Sequence, residues 1–160
     1  MLTFSQMFIR LLVALGLGAL LGLERELVGK EAGLRTEMLV SAGAALFTMI
    51  GLSLPYIVSS ETGSLANVIA GNGGYFQVIA NIVVGIGFLG AGLIIKTGER
   101  ARGITTAAIV WTTAAIGVLV GIGMMEFAAV AALLIAVLLY VLRKLDITEQ
   151  IEKISQKDAR

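Results

Sequence analysis

The chain has 160 residues, 58% of them apolar and 14% charged, with 20 glycines, one proline, a formal net charge of +1, and neither cysteine nor histidine. A mean hydropathy of +0.95 lies outside the range of soluble domains, in which about a quarter of residues are charged. The missing residue types exclude disulfides, thiolate or imidazole metal sites and His- or Cys-based catalysis. The near-zero charge excludes a nucleic-acid binder.

The N-terminus, MLTFSQMFIRLL, has no basic segment ahead of its apolar run and no small-residue cleavage site. It reads as a retained membrane helix, not a signal peptide. Spanning a bilayer takes about 20 apolar residues, and the first three uncharged or nearly uncharged runs give helices over 6–25, 38–58 and 75–95. The run 103–142 carries one charge, Glu126. As a single helix it would be about 60 Å long, twice the ~30 Å hydrocarbon core. It therefore folds back at Gly121–Glu126, giving helices over 104–121 and 126–142.

The expected architecture is an all-α integral membrane protein. A five-helix transmembrane domain covers residues 1–142, and a short cytoplasmic amphipathic tail covers 143–160. In the tail, Ile147, Ile151 and Ile154 recur at helical spacing, and Glu149 and Lys153 form an i,i+4 pair. It suits a membrane surface or a partner. The external segment 59–74, rich in Gly, Ser and Asn, reads as a loop with one short helix.

Between the first two spans, seven charged residues crowd into Glu24–Glu37: Glu24, Arg25, Glu26, Lys30, Glu31, Arg35 and Glu37. Eleven of the 12 basic residues fall in this loop, in the 96–102 loop or in the tail; Arg10 is the exception. The positive-inside rule puts the N-terminus outside and the C-terminus in the cytoplasm. The acids play no part in that rule and need another explanation.

The hairpins Gly16–Gly51 and Gly85–Gly121 align. Gly16, Gly18 and Leu20 match Gly85, Gly87 and Leu89; Gly33, Thr36, Val40, Ala44, Ala45 and Gly51 match Gly103, Thr106, Val110, Ala114, Ala115 and Gly121 after one inserted residue. Hairpins 1–2 and 3–4 would then form a parallel repeat about an axis along the membrane normal, with the fifth span an addition. In each, a glycine precedes a threonine by three (GLRT, GITT), a tight turn followed by an N-cap from Thr36 and from Thr105 or Thr106. Glu24 and Glu26 would face those helix N-termini.

GIGFLG spells a dinucleotide signature but lies inside an uncharged membrane run, without the strand such a signature needs. Helix packing is the better reading for Gly85, Gly87, Gly90 and Gly92, and for the Gly18–Gly22 GxxxG pattern. Gln77 and Asn81 share one face of span three and suit either an interhelical hydrogen bond or a ligand contact. A Thr-rich stripe on span four (Thr105, Thr106, Thr112, Thr113) reads as packing glue. Trp111 lies too deep for an interfacial belt and reads as packing.

GLERE at 22–26, AGLRTE at 32–37, GIGFLGAGLI at 85–94, RGITTAA at 102–108 and WTTAAIGVLVG at 111–121 together resemble the MgtC/SapB family of bacterial inner-membrane proteins. The resemblance covers nearly all of residues 10–142. It implies a multi-pass inner-membrane protein linked to magnesium homeostasis, with members needed for growth at low magnesium and, in some pathogens, for survival inside host cells, a virulence-related role. It also implies that some members regulate other membrane machines, including the ATP synthase. The best-known members continue into a soluble C-terminal domain, whereas here DITEQIEKISQKDAR follows, as in the shorter, SapB-like form.

The cytoplasmic polar cluster is Glu24, Arg25, Glu26, Arg35 and Thr36, with Lys96, Thr105 and Thr106 at the same depth. It reads either as an ion-pair network closing the hairpin or as a site for an ion or anionic ligand. In the second case Glu24 and Glu26 are the metal ligands and Mg2+ the ligand, since magnesium takes one or two carboxylates and keeps several waters. Asn81 is a further ligand candidate. Two functions follow for a chain that is not expected to be an enzyme. One is magnesium-linked ion binding or transport through this cluster; the other is non-transporting regulation of another membrane protein, such as the ATP synthase or a transporter. The partners expected are the bilayer, further copies in a homo-oligomer and that membrane protein.

Overall fold

The computed structural model describes residues 2–62, 74–97 and 100–145. Its elements are helices α1 (Phe4–Leu27), α2 (Leu34–Thr62), α3 (Gly74–Leu93), α4 (Ile104–Ile122) and α5 (Met125–Leu145), with strands β1 (Ile95–Thr97) and β2 (Arg100–Arg102) between α3 and α4. Each helix is long and apolar enough to cross a membrane, so the five expected spans are present. The expected amphipathic tail and most of the expected external loop lie outside the described residues.

Helix ends follow from local chemistry. Thr3 and Gln6 form a reciprocal capping box that starts α1. Gly123, at φ +111°, ends α4 with its N–H on Leu119 and Val120 carbonyls, a left-handed cap that glycine adopts without a Cβ penalty. The chain turns through Gly123–Met124 into α5, inside the expected 121–126 turn. Helix α2 starts at Leu34 instead of 38, because the Glu26 carboxylate caps it from the end of α1: Leu34 N–H donates to Glu26 Oε2 at 3.0 Å. Helix α2 also continues through Pro55 to Thr62.

The segment expected as a loop at 96–102 is a short antiparallel hairpin in the register Ile95↔Arg102, Lys96↔Ala101, Thr97↔Arg100.

Helices α2 and α4 form the centre. Half of the apolar stretch of α2 (50%) and 56% of that of α4 are buried, against 6% for α3 and 11% for α5. The α2–α4 seam is made by small residues. A Cβ at Gly117 would overlap the Ser41 carbonyl, and one at Gly121 would lie 2.6 Å from Thr48 Cβ and 2.8 Å from the Ala45 carbonyl. Glu37 meets Thr113 one turn earlier. The pairs advance together along both helices, so α2 and α4 run parallel. Gly18 and Gly22 of α1 also approach α2 closely: their Cβ positions would lie 2.5 Å from the Glu37 carbonyl and 2.7 Å from Leu34 Cα. The core joins these helices to α5 and consists of Ala14, Leu21, Ala45, Ile116, Val120, Ala128 and Ala132.

Two packing expectations need correction. At Gly85, Gly87 and Gly92 a Cβ would meet nothing within 4 Å, and only Gly90 of that set approaches another helix, at 3.6 Å from Ala107 Cβ. The tight glycine seam lies at Gly117–Gly121 instead, on a helix held at the centre. Trp111 is half exposed on the outer face of α4, because the small residues Ala107, Thr113, Ala114 and Gly117 occupy the inner one.

The matched glycines of the two hairpins share a situation. A Cβ on Gly33 would overlap the Glu26 carboxylate, and one on Gly103 would overlap the Leu93 carbonyl. In each hairpin the glycine lets the incoming helix start against the end of the preceding one.

Candidate functional site

The candidate residues fall into three places. The first is the end of the α1–α2 hairpin. Arg25 is buried, 5% exposed, and its Nη1 donates to Glu24 Oε2 at 3.3 Å. Glu26 is spent on the Leu34 N–H. It therefore does face a helix N-terminus, in the favourable sense for a carboxylate. Arg35 is exposed on the first turn of α2. Glu24 and Glu26 are thus engaged with protein groups, and no group of three or more acids that could hold a metal occurs among the described residues.

The second place is a groove of about 700 Å³ between α2 and α3. Its polar members are Thr36 and Asn81; Val40, Phe47, Ile82 and Leu89 are among its apolar walls. The groove brings together two candidates that sequence placed on different spans. It also corrects two roles. Thr36 lies inside α2 and does not cap it, since the helix begins two residues earlier. Asn81 Oδ1 accepts from Gln77 Nε2 at 3.3 Å on the same helix, so the expected interhelical bond is replaced by an i,i+4 one.

The third place is the start of α4. Its N-cap is Gly103, left-handed at φ +84° and without a side-chain cap bond, so neither Thr105 nor Thr106 caps the helix. Thr105 is exposed and Thr106 is buried at 3% exposure against the centre of the bundle. The Thr stripe splits likewise: Thr113 faces inward and fully buried, while Thr112 Oγ1 bonds back to the Ala108 carbonyl at 2.6 Å.

One residue of this region escaped the sequence reading as a site. Glu37, counted only among the charges of the loop, is fully buried. Its polar neighbours are the Thr113 hydroxyl and the Arg25 guanidinium, with Ser41 one turn further along α2. Both Glu37 carboxylate oxygens, Ser41 Oγ, Thr113 Oγ1 and Arg25 Nε are buried without a hydrogen-bond partner. The periodicity Glu37, Ser41, Ala45, on one face of α2 with Gly18 and Gly22 opposite, was the available signal.

Comparison with known proteins agrees with this fold. The MgtC family model matches residues 11–147. Protein MgtC of Brucella abortus (strain 2308) is 42% identical over 129 residues, covering 81% of this chain and 48% of that protein. Protein MgtC of Salmonella typhimurium (strain LT2) is 43% identical over 127 residues, covering 79% of this chain and 48% of that protein. The chain thus spans about half the length of the curated relatives it matches. No solved structure matches it. With five membrane-spanning helices and a match over most of its length, the chain belongs to the MgtC family of multi-pass inner-membrane proteins.

Proposed function

We propose that this chain serves magnesium homeostasis as a non-transporting regulator, engaging a transmembrane helix of another membrane protein in the groove between α2 and α3. The observation that carries the reading is the groove itself: about 700 Å³, lateral, apolar, with Thr36 and Asn81 as its polar members. Gly43 and Gly85 line it, and a Cβ on either would meet nothing within 4 Å. Small residues beside one or two hydrogen-bonding side chains are what close helix association in lipid uses. The cytoplasmic carboxylates support the reading by their engagement, Glu24 with Arg25 and Glu26 with the α2 N-terminus. The reading gives the chain no catalytic role.

The test pairs two measurements. Gly43→Leu and Gly85→Leu project into the groove from positions where a Cβ meets nothing within 4 Å; they are expected to abolish growth support at low magnesium while leaving the folded protein in the membrane. A photo-reactive residue at Val78 is expected to cross-link to a transmembrane segment of a different protein, and the cross-link is lost in Gly85→Leu. Full growth support by both leucine variants sinks the reading. So does magnesium uptake into liposomes holding the purified chain alone that is lost in Glu24→Gln, which establishes transport. A cross-link only between copies of this chain moves the groove to a homo-oligomer interface.

A further inference from the structure

We propose that Glu37 is a proton-binding site: a carboxylic acid enclosed by α1, α2 and α4, whose proton exchanges with the cytoplasmic side. The site goes beyond the partner-binding reading and stands or falls separately from it.

Three observations converge. The first is enclosure. Glu37 is fully buried, and the room for it comes from α1, where Gly22 would bring a Cβ within 3.2 Å of Glu37 Cβ and Gly18 one within 2.5 Å of its carbonyl. The second is the lack of made hydrogen bonds. Neither carboxylate oxygen has a hydrogen-bond partner, nor do Thr113 Oγ1 and Ser41 Oγ beside it. An ionised carboxylate buried without compensating hydrogen bonds carries a penalty of several kcal/mol. The third is a charge count. The groups facing Glu37 from α1 are Arg25 and, through it, Glu24; Arg25 Nη1 is committed to Glu24. From its own helix the nearest ionisable residue is Arg35, which is exposed. Helices α3 and α4 carry no ionisable residue except Tyr75, on the first turn of α3 at the opposite end of the bundle. One guanidinium therefore serves two carboxylates, and it is bonded to the other one.

A proton on Glu37 resolves this. It removes the surplus negative charge and supplies an O–H donor that the Thr113 or Ser41 oxygen can accept. Loss of that proton leaves a carboxylate that must draw on the Thr113 and Ser41 hydroxyls and on Arg25 Nε, none of which has another partner. Glu24 and Glu37 then compete for one guanidinium, so the proton on Glu37 sets how firmly Arg25 closes the α1–α2 hairpin. Glu37 lies in the first turn of α2, one turn from the charged loop, which keeps the exchange path short.

The site is tested by pH-difference infrared spectroscopy on the full chain in lipid, comparing the parent with Glu37→Gln and Glu24→Gln. At neutral pH the parent is expected to show a protonated-carboxyl C=O band that shifts in D2O, disappears at alkaline pH, is lost completely in Glu37→Gln and persists in Glu24→Gln. An unchanged band in Glu37→Gln overturns the proposal, as does the absence of any such band in the parent. Either result means that Glu37 is ionised and held by water or a cation. Glutamine copies the neutral acid in shape, so Glu37→Gln is expected to unfold thermally at the parent's temperature at neutral pH. A Glu37→Gln chain that fails to assemble there also overturns the proposal.

Discussion

Gly117 of α4 meets the backbone carbonyl of Ser41 with no room for a Cβ between them. The contact fixes the α2–α4 distance at the centre of the bundle, and Gly121 repeats it one turn on against Thr48 and Ala45. A methyl at either place must push on backbone or on a buried β-branched side chain. Gly117→Ala is expected to cost about 1–3 kcal/mol, the usual range for overpacking a filled core. Thermal unfolding in detergent, followed by circular dichroism, checks it. Gly85→Ala, where the Cβ meets nothing within 4 Å, is the control and is expected to stay within about 0.5 kcal/mol of the parent. Equal effects at the two positions would refute the seam.

Arg10 supplies a second test, at the outer end of the same helix. Its Nη1 donates to the Gly121 carbonyl at 2.6 Å, part-buried, where the last turn of α4 leaves carbonyls without helical donors. A cation there also meets the negative end of the helix dipole. Arg10→Met keeps the apolar stem and removes the charge and the bond. The expected loss is about 1–2 kcal/mol, read as a lower unfolding temperature, with Arg10→Lys intermediate. No loss in Arg10→Met would leave the α4 terminus held by Gly123 alone.

Much of this architecture was legible in the sequence because lipid imposes a length rule. Runs of apolar residues bounded by charge gave all five spans, and the α4–α5 turn followed from a run too long for one helix. What stayed hidden depends on side chains reaching across elements. The early start of α2 needs Glu26 to extend from α1 to Leu34, which no pattern within 34–37 reveals. The hairpin Ile95–Thr97/Arg100–Arg102 has three residues per strand, too few for an alternation to register. Glycines mislead in a different way: GIGFLGAG on α3 and GVLVG on α4 look equally like packing motifs, and only the position of each helix decides which is used. Helix α4 lies at the centre and buries Gly117 and Gly121; α3 lies outside and leaves Gly85, Gly87 and Gly92 open. Glu37 was hidden by its company, one charge among seven, although a period of four separates it from Arg35 and Thr36 and aligns it with Ser41.

The Glu26 cap has its own test. Glu26→Ala removes the acceptor of the Leu34 N–H and leaves the first turn of α2 without its side-chain cap. The expected cost is about 1 kcal/mol, with faster amide hydrogen exchange confined to Leu34–Glu37 and the rest of α2 unchanged. Glu26→Gln keeps an oxygen and is expected to retain most of the protection. Uniform exchange along α2 in Glu26→Ala would mean that the Gly33 turn alone sets the helix start.

Orientation can be tested cleanly because the chain has no cysteine. The helices alternate in direction, so the α1–α2 loop, the β1–β2 hairpin and the end of α5 share one side, and Gly123–Met124 lies on the other. The basic residues Arg25, Lys30, Arg35, Lys96, Arg102, Arg143 and Lys144 all belong to the first side, which the positive-inside rule assigns to the cytoplasm. Single substitutions Lys30→Cys and Met124→Cys place one thiol on each side at exposed positions. In intact spheroplasts a membrane-impermeant maleimide is expected to label Met124→Cys and spare Lys30→Cys until the membrane is opened. The reverse pattern would invert the topology and put the Glu37 carboxyl near the outer surface, where its proton would answer to external pH.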